Sequence, residues 1–212
     1  MRLSSEYKSI GKKNLENNYS VAILVCLAVL FITFIGSIIP FFGAVIVFLI
    51  SGQLTVGENN YFIKLHRKEN AGVSTLFNNF QRDWLSNFVT YLLYLIYLGL
   101  WFMLFIIPGI IKFHSYTMTF YLKAKNPTLK SNEAITLSRK IMDGKKWKFC
   151  CFQFSFIGWI ILSFLTFGIG FIFLAPYMQS STIAFYEDAY NEYYKLSVVD
   201  NETNEETVIV EE

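Results

Sequence analysis

The chain has 212 residues, 54% hydrophobic and only 16% charged, against roughly 45–50% and about 25% in soluble domains. The apolar excess is gathered into uncharged runs such as 21–40 and 84–111, which are long enough to cross a bilayer and exclude an ordinary water-soluble domain. The net charge of +2 decides little, because acidic and basic residues are segregated along the chain, and no feature points to nucleic acid.

In chain order, the opening segment "LSSEYKSIG" reads as a short amphipathic helix with Leu3, Tyr7 and Ile10 on one face. Apolar segments follow at about 20–39 and 41–57, separated by the turn "IPFFG". The first run exceeds the ~7–15 apolar residues of a signal peptide and follows a polar stretch, so it is expected to stay in the mature protein. "STLFNNFQRDW" places Leu76, Phe77, Phe80 and Trp84 on one helical face, with Asn78, Gln81 and Arg82 on the other.

Segments at about 85–107 and 109–123 come next. A straight helix over 84–125 would extend about 60 Å, twice the roughly 30 Å of a hydrocarbon core. The chain must fold back, and Pro108-Gly109 is the expected point, proline ending a helix and glycine permitting a positive φ. "SNEAITLSRKIMDG" is a second amphipathic helix, with Ala134, Leu137, Ile141 and Met142 facing one way, Ser131 as N-cap and Gly144 just past the end. The last apolar segments, about 149–167 and 169–187, meet at "FGIG", and residues 197–212 read as an acidic, disordered cytoplasmic tail.

Six crossings put 17 of the 18 basic residues on one side, Lys112 being the exception. Basic residues in short loops favour the cytoplasmic side, so both termini are expected inside. The glycines of the three turns, Gly43, Gly109 and Gly170, are 66 and 61 residues apart, and each descending segment ends in an aromatic pair. The pairs are Tyr61-Phe62, Phe120-Tyr121 and Phe185-Tyr186, for which an aromatic belt at headgroup level is the simplest explanation. The expected fold is all-α: six transmembrane helices as three hairpins, each preceded by an amphipathic cytoplasmic helix, a pseudo-threefold repeat. The membrane domain covers 1–196, with repeats at about 1–66, 67–128 and 129–196.

Polar residues recur on the descending segments. Lys112, Tyr116 and Thr119 share a face with Lys123, Tyr177 and Ser181 repeat the spacing, and Ser51 and Thr55 occupy the first segment; His114 lies close by. Two readings stand: a polar interior for a headgroup or small solute, or hydroxyls that glue helices together. Lys112, three residues past its turn glycine, is expected to snorkel to the outer interface. The densest polar stretch, 138–149, holds Arg139, Lys140, Lys145, Lys146 and Trp147, read either as a solvated basic anchor or as a site for phosphate or anionic headgroups. Cys26, Cys150 and Cys151 make no CxxC and suit small apolar fillers, so no metal or disulfide framework is indicated. No phosphate loop, HExxH or nucleophile elbow occurs; neither enzyme chemistry nor a cofactor is expected.

The segment "FIIPGIIKFHSYTMTFYLKAKNPTLKSNEAITLSRKIMDGKKWKFCCFQFSFIGW", followed by "LTFGIGFIFLAPYMQSSTIAFYE", resembles the DUF975 family of bacterial integral membrane proteins. The resemblance rests on the Pro-Gly turn, Ser138-Arg139 with Met142 and Gly144, "SFIGW" at 155–159, and Pro176-Tyr177 with Phe185-Tyr186. It implies a six-helix protein of a bacterial cytoplasmic membrane, from a family with no established activity. It is also distantly similar to membrane domains attached to glycerophosphodiesterases, a likeness of fold alone. The function expected is binding or translocation of a lipid or small amphiphile between the helices, with anionic membrane lipids as partners. The alternative is a scaffold or accessory subunit with a membrane-protein partner.

Overall fold

The computed structural model describes residues 2–16, 18–38, 42–77 and 83–210. Ten α-helices carry nearly all of it: α1 (Ser4–Leu15), α2 (Tyr19–Ile38), α3 (Phe42–His66), α4 (Trp84–Leu104), α5 (Ile106–Tyr116), α6 (Thr119–Lys125), α7 (Ser131–Ile141), α8 (Lys146–Phe154), α9 (Ile157–Leu165) and α10 (Ile169–Val210). Helix is what long apolar runs demand, because it satisfies every backbone donor within the segment. Among the described residues, four stretches are long and apolar enough to cross a membrane: Tyr19–Gly36, Phe42–His66, Trp84–Leu104, and Lys146–Leu165, the last spanning α8 and α9.

The helices pack in sequential pairs, α2 with α3, α4 with α5, and α9 with α10. The second reversal does not fall where expected. Phe105, extended at φ −160° and ψ 146°, turns the chain, and Pro108 sits in the first turn of α5, where its missing N–H has no intrahelical partner to lose. Gly109 is needed for closeness and not for a positive φ, since a Cβ there would stand 2.6 Å from the Phe102 ring. The third turn uses Phe167 and Gly168, both with positive φ. Gly170 again marks a close approach, its Cβ position being 2.7 Å from Ser163. In the first pair a Cβ on Gly36 would lie 3.4 Å from the Gly43 carbonyl. Gly109 and Gly170 thus each meet the residue seven positions earlier, across the turn. Residues 39–41 of the first turn, and 78–82 of the expected amphipathic helix after α3, lie outside the described residues; before them runs a 3-10 turn, Val73–Leu76.

The aromatic pairs do not form a belt. All six residues are buried in one core, where Tyr121 and Tyr186 approach to 5.5 Å and Phe149 packs on both Phe185 and Tyr186. Large apolar residues at the turns are exposed, Met103 88% and Phe167 99%, with Phe34, Ile38, Phe42 and Ile107 beside their own turns. Apolar surface of that extent marks an interaction face.

The amphipathic helices are built into this body. α1 runs antiparallel to α10: Tyr7 meets Phe185 at 5.1 Å and Gly11 meets Ser181, and beyond α1 the first residue of α2, Tyr19, stacks on Phe173 at 6.5 Å in the same register. The buried stripe is Tyr7, Gly11 and Leu15, while Leu3 is exposed, so the face expected from Leu3, Tyr7 and Ile10 is rotated. α7 buries Ala134, Ile135, Ser138 and Ile141 against α4, α5 and α6. Its N-cap is Lys130, whose N–H donates to Glu133 (3.3 Å), and Ser131 instead donates across to the Ser86 carbonyl. α10 continues to Val210, through most of the stretch that composition assigns to a disordered tail. Residues 177–212 contain no glycine or proline to stop a helix.

Candidate functional site

The residues expected to line a polar interior are not brought together. Ser51 donates to the Val47 carbonyl (2.6 Å), Thr55 to Ser51 (2.9 Å), Ser181 to Tyr177 (2.8 Å), and His114 Nδ1 to Ile110 (2.9 Å). Each bond reaches four residues back along its own helix, the arrangement open to any hydroxyl in an apolar helix. Ser181 is fully buried where α10 touches Gly11, and Thr119 is fully buried with no partner for its hydroxyl among the described residues. Tyr116 is buried with its ring 6.4 Å from Tyr94, whereas Tyr177 is half-buried against Phe156. The two tyrosines that share a place in the repeat therefore face different surroundings.

Two concave features take their place. The larger is a groove of about 630 Å³ between the α1–α2 junction, α9 and the start of α10. Its walls are apolar and aromatic, from Tyr19, Trp159, Leu162, Phe173 and Tyr177, and the only charged lining residues are Lys12 and Glu16, four apart on α1. Of the expected site residues only Tyr177 reaches it. Nothing local in the sequence marks Trp159 or Leu162 as its wall, because they come from a different hairpin than Lys12.

The second is a pocket of about 310 Å³ between α5, α7 and the start of α8, where Lys112 joins Arg139, Lys140 and Lys146. Two residues expected in the basic patch lie elsewhere. Lys145 reaches α10, with the Ala189 carbonyl at 3.5 Å and Glu192 at 3.9 Å, and Trp147 is largely exposed. Lys112 does not snorkel outward alone, since its Nζ lies 4.5 Å over the Trp101 ring within this basic group. Asp143 bonds Lys146 at 3.1 Å, and that cation holds the carboxyl below its ordinary range.

Other charges staple the helices together. Lys123 is 1% exposed and donates to Ser86 Oγ (2.7 Å), the Leu129 carbonyl (2.7 Å) and the Pro127 carbonyl (3.3 Å). Lys125 pairs with Glu187 at 2.7 Å, bonds Tyr121 at 2.9 Å and sits 3.7 Å over Tyr190. Burial draws its ammonium below the ordinary lysine value, and the Glu187 carboxylate opposes that. Tyr7 donates to Asp188 at 2.6 Å, and burial together with that bond pushes the phenol well above its ordinary value. Among the described residues no group of three or more His, Cys, Asp and Glu is placed to hold a metal ion.

Fold and site together define an all-helical protein with helices of membrane-crossing length, exposed apolar turns and a basic pocket between α5, α7 and α8. The family model of DUF975, a protein of unknown function, matches residues 1–120 and 106–192, and the chain belongs to that family. No curated protein and no solved structure matches it.

Proposed function

We propose that this is a multi-pass protein of a bacterial cytoplasmic membrane, its helices paired as three repeated hairpins, which binds a lipid or lipid-like amphiphile without catalysing a reaction. The expected six crossings are not kept, because they would part Lys112 from Arg139 and Lys146, which line one pocket with it. Support for the repeat comes from the close glycine approach seven residues across the second and third turns and from the convergence of the three aromatic pairs. The observation that carries the ligand is the groove. Its volume of about 630 Å³ lies inside the ~300–1,000 Å³ of small-molecule sites. Apolar walls with one cation and one carboxylate at the edge suit an acyl chain bearing a zwitterionic headgroup, with Lys12 toward the phosphate and Glu16 toward the amine.

Filling the groove tests this. Leu162 is exposed at its wall, so Leu162→Trp occupies the space without disturbing the buried core. The protein purified in detergent is expected to retain lipid, measured by mass spectrometry per mole of protein, and the variant to lose most of it at an unchanged Tm. Equal retention by both proteins, or none by the wild type, overturns the reading.

A further inference from the structure

The pocket between α5, α7 and α8 has the composition of an anion site. Ser138 at the heart of α7 donates to the Ser115 carbonyl of α5 (2.8 Å), a buried bond that pins the two helices at that point. The exposed side of α7 then carries Thr136, Arg139, Lys140 and Asp143 past Lys112. Four cations surround about 310 Å³ with a single carboxylate among them. Asp143 compensates only Lys146. Lys112, Arg139 and Lys140 have no carboxylate at ion-pair distance among the described residues.

Gathering like charges around a concavity is unfavourable unless something negative enters it. The Arg139 guanidinium offers a planar fork matched to two oxygens of one tetrahedral anion, and the lysines add point charges around it. Lys112 is the decisive residue. It is the only lysine or arginine of α5, and the Trp101 ring beneath its Nζ steadies an ammonium without neutralising it.

We propose that this pocket binds a phosphate group, held by Arg139 and Lys112 and flanked by Lys140 and Lys146. The group arrives either on a phospholipid or as a free phosphate compound, and the chemistry of recognition is the same for both. The pocket shares no lining residue with the groove, so neither reading depends on the other.

The test uses the full-length protein in a nonionic detergent, with Tm followed as ligand is added. One arm is titrated with inorganic phosphate, a second with phosphatidic acid in mixed micelles, and a control with potassium chloride at matched ionic strength. A saturable rise in Tm with phosphate supports the site as a reader of the free group; a rise with phosphatidic acid alone supports it as a headgroup site. In either case Lys112→Met and Arg139→Gln are expected to weaken the apparent affinity about ten-fold or more. Lys13→Gln, exposed on α1, leaves it unchanged. If Lys112→Met does not fold, the exposed pair Arg139→Gln and Lys140→Gln carries the same comparison. The proposal fails if neither probe gives a saturable rise, if chloride matches it, or if Lys13→Gln loses as much as the pocket variants.

Discussion

Lys123 shows how little a residue's charge says about its task. On the sequence it is one basic residue among 17 assigned to the cytoplasmic side. In the structure it is buried, and its three bonds draw the loop 126–130 onto α4. Lys123→Met keeps the apolar stem and removes the donor, stranding two carbonyls and a hydroxyl. We expect a loss of about 2–3 kcal/mol, read as a lower Tm in detergent, while the comparably basic but exposed Lys13→Gln changes Tm little. The hydroxyls repeat the lesson from the other side. Ser51, Thr55 and Ser181 lie where a polar face was expected, and each spends its donor on its own helix. Spacing reveals which residues share a face, but not whether that face has a cavity in front of it.

At the level of helices, glycine is the informative residue. Gly11 and Gly99 both stand inside helices, where alanine is ordinarily better by roughly 0.5–1 kcal/mol. Around Gly99 nothing lies within 4 Å, so Gly99→Ala is expected to raise stability by about that amount. At Gly11 a Cβ would run into the side chain and backbone of Ser181, and Ser180 donates to the Gly11 carbonyl at 3.1 Å. Gly11→Ala is therefore expected to loosen α1 from α10 and lower Tm, the opposite sign from Gly99→Ala in the same assay. The helices themselves were legible: every apolar segment read from the sequence has a helix over most of its length. Their joints were not. The reversal at Phe105 sits three residues before the expected Pro108, because proline is as acceptable at the start of a helix as after its end. The breaks between α5 and α6 and between α8 and α9 fall at Thr117-Met118 and Ser155-Phe156, where no glycine or proline announces them.

For the molecule as a whole, the three aromatic pairs share one buried core while large apolar residues at the turns, such as Met103 and Phe167, are exposed. Polar α1 lies along α10 between Ser181 and Asp188, with Lys12 and the C-cap residue Glu16 at the groove. Cysteines introduced at Lys112 and at Lys146 are expected to react with a polar thiol reagent from the same side of the membrane, because both line one pocket; labelling from opposite sides overturns the shared pocket.

Hydropathy adds up along the chain, so the sequence alone determined that this protein is helical and made of long apolar segments. Its family membership was legible too, carried by local motifs between residues 100 and 190. The functional surfaces arise differently. Lys112 and Arg139 are 27 residues apart and meet only because Ser138 docks on Ser115. Lys12 and Trp159 share a groove only because α1 and α9 both pack on α10. A pocket depends on which helix faces stay unfilled after packing, and that is set by contacts between distant segments, so only the tertiary structure decided it.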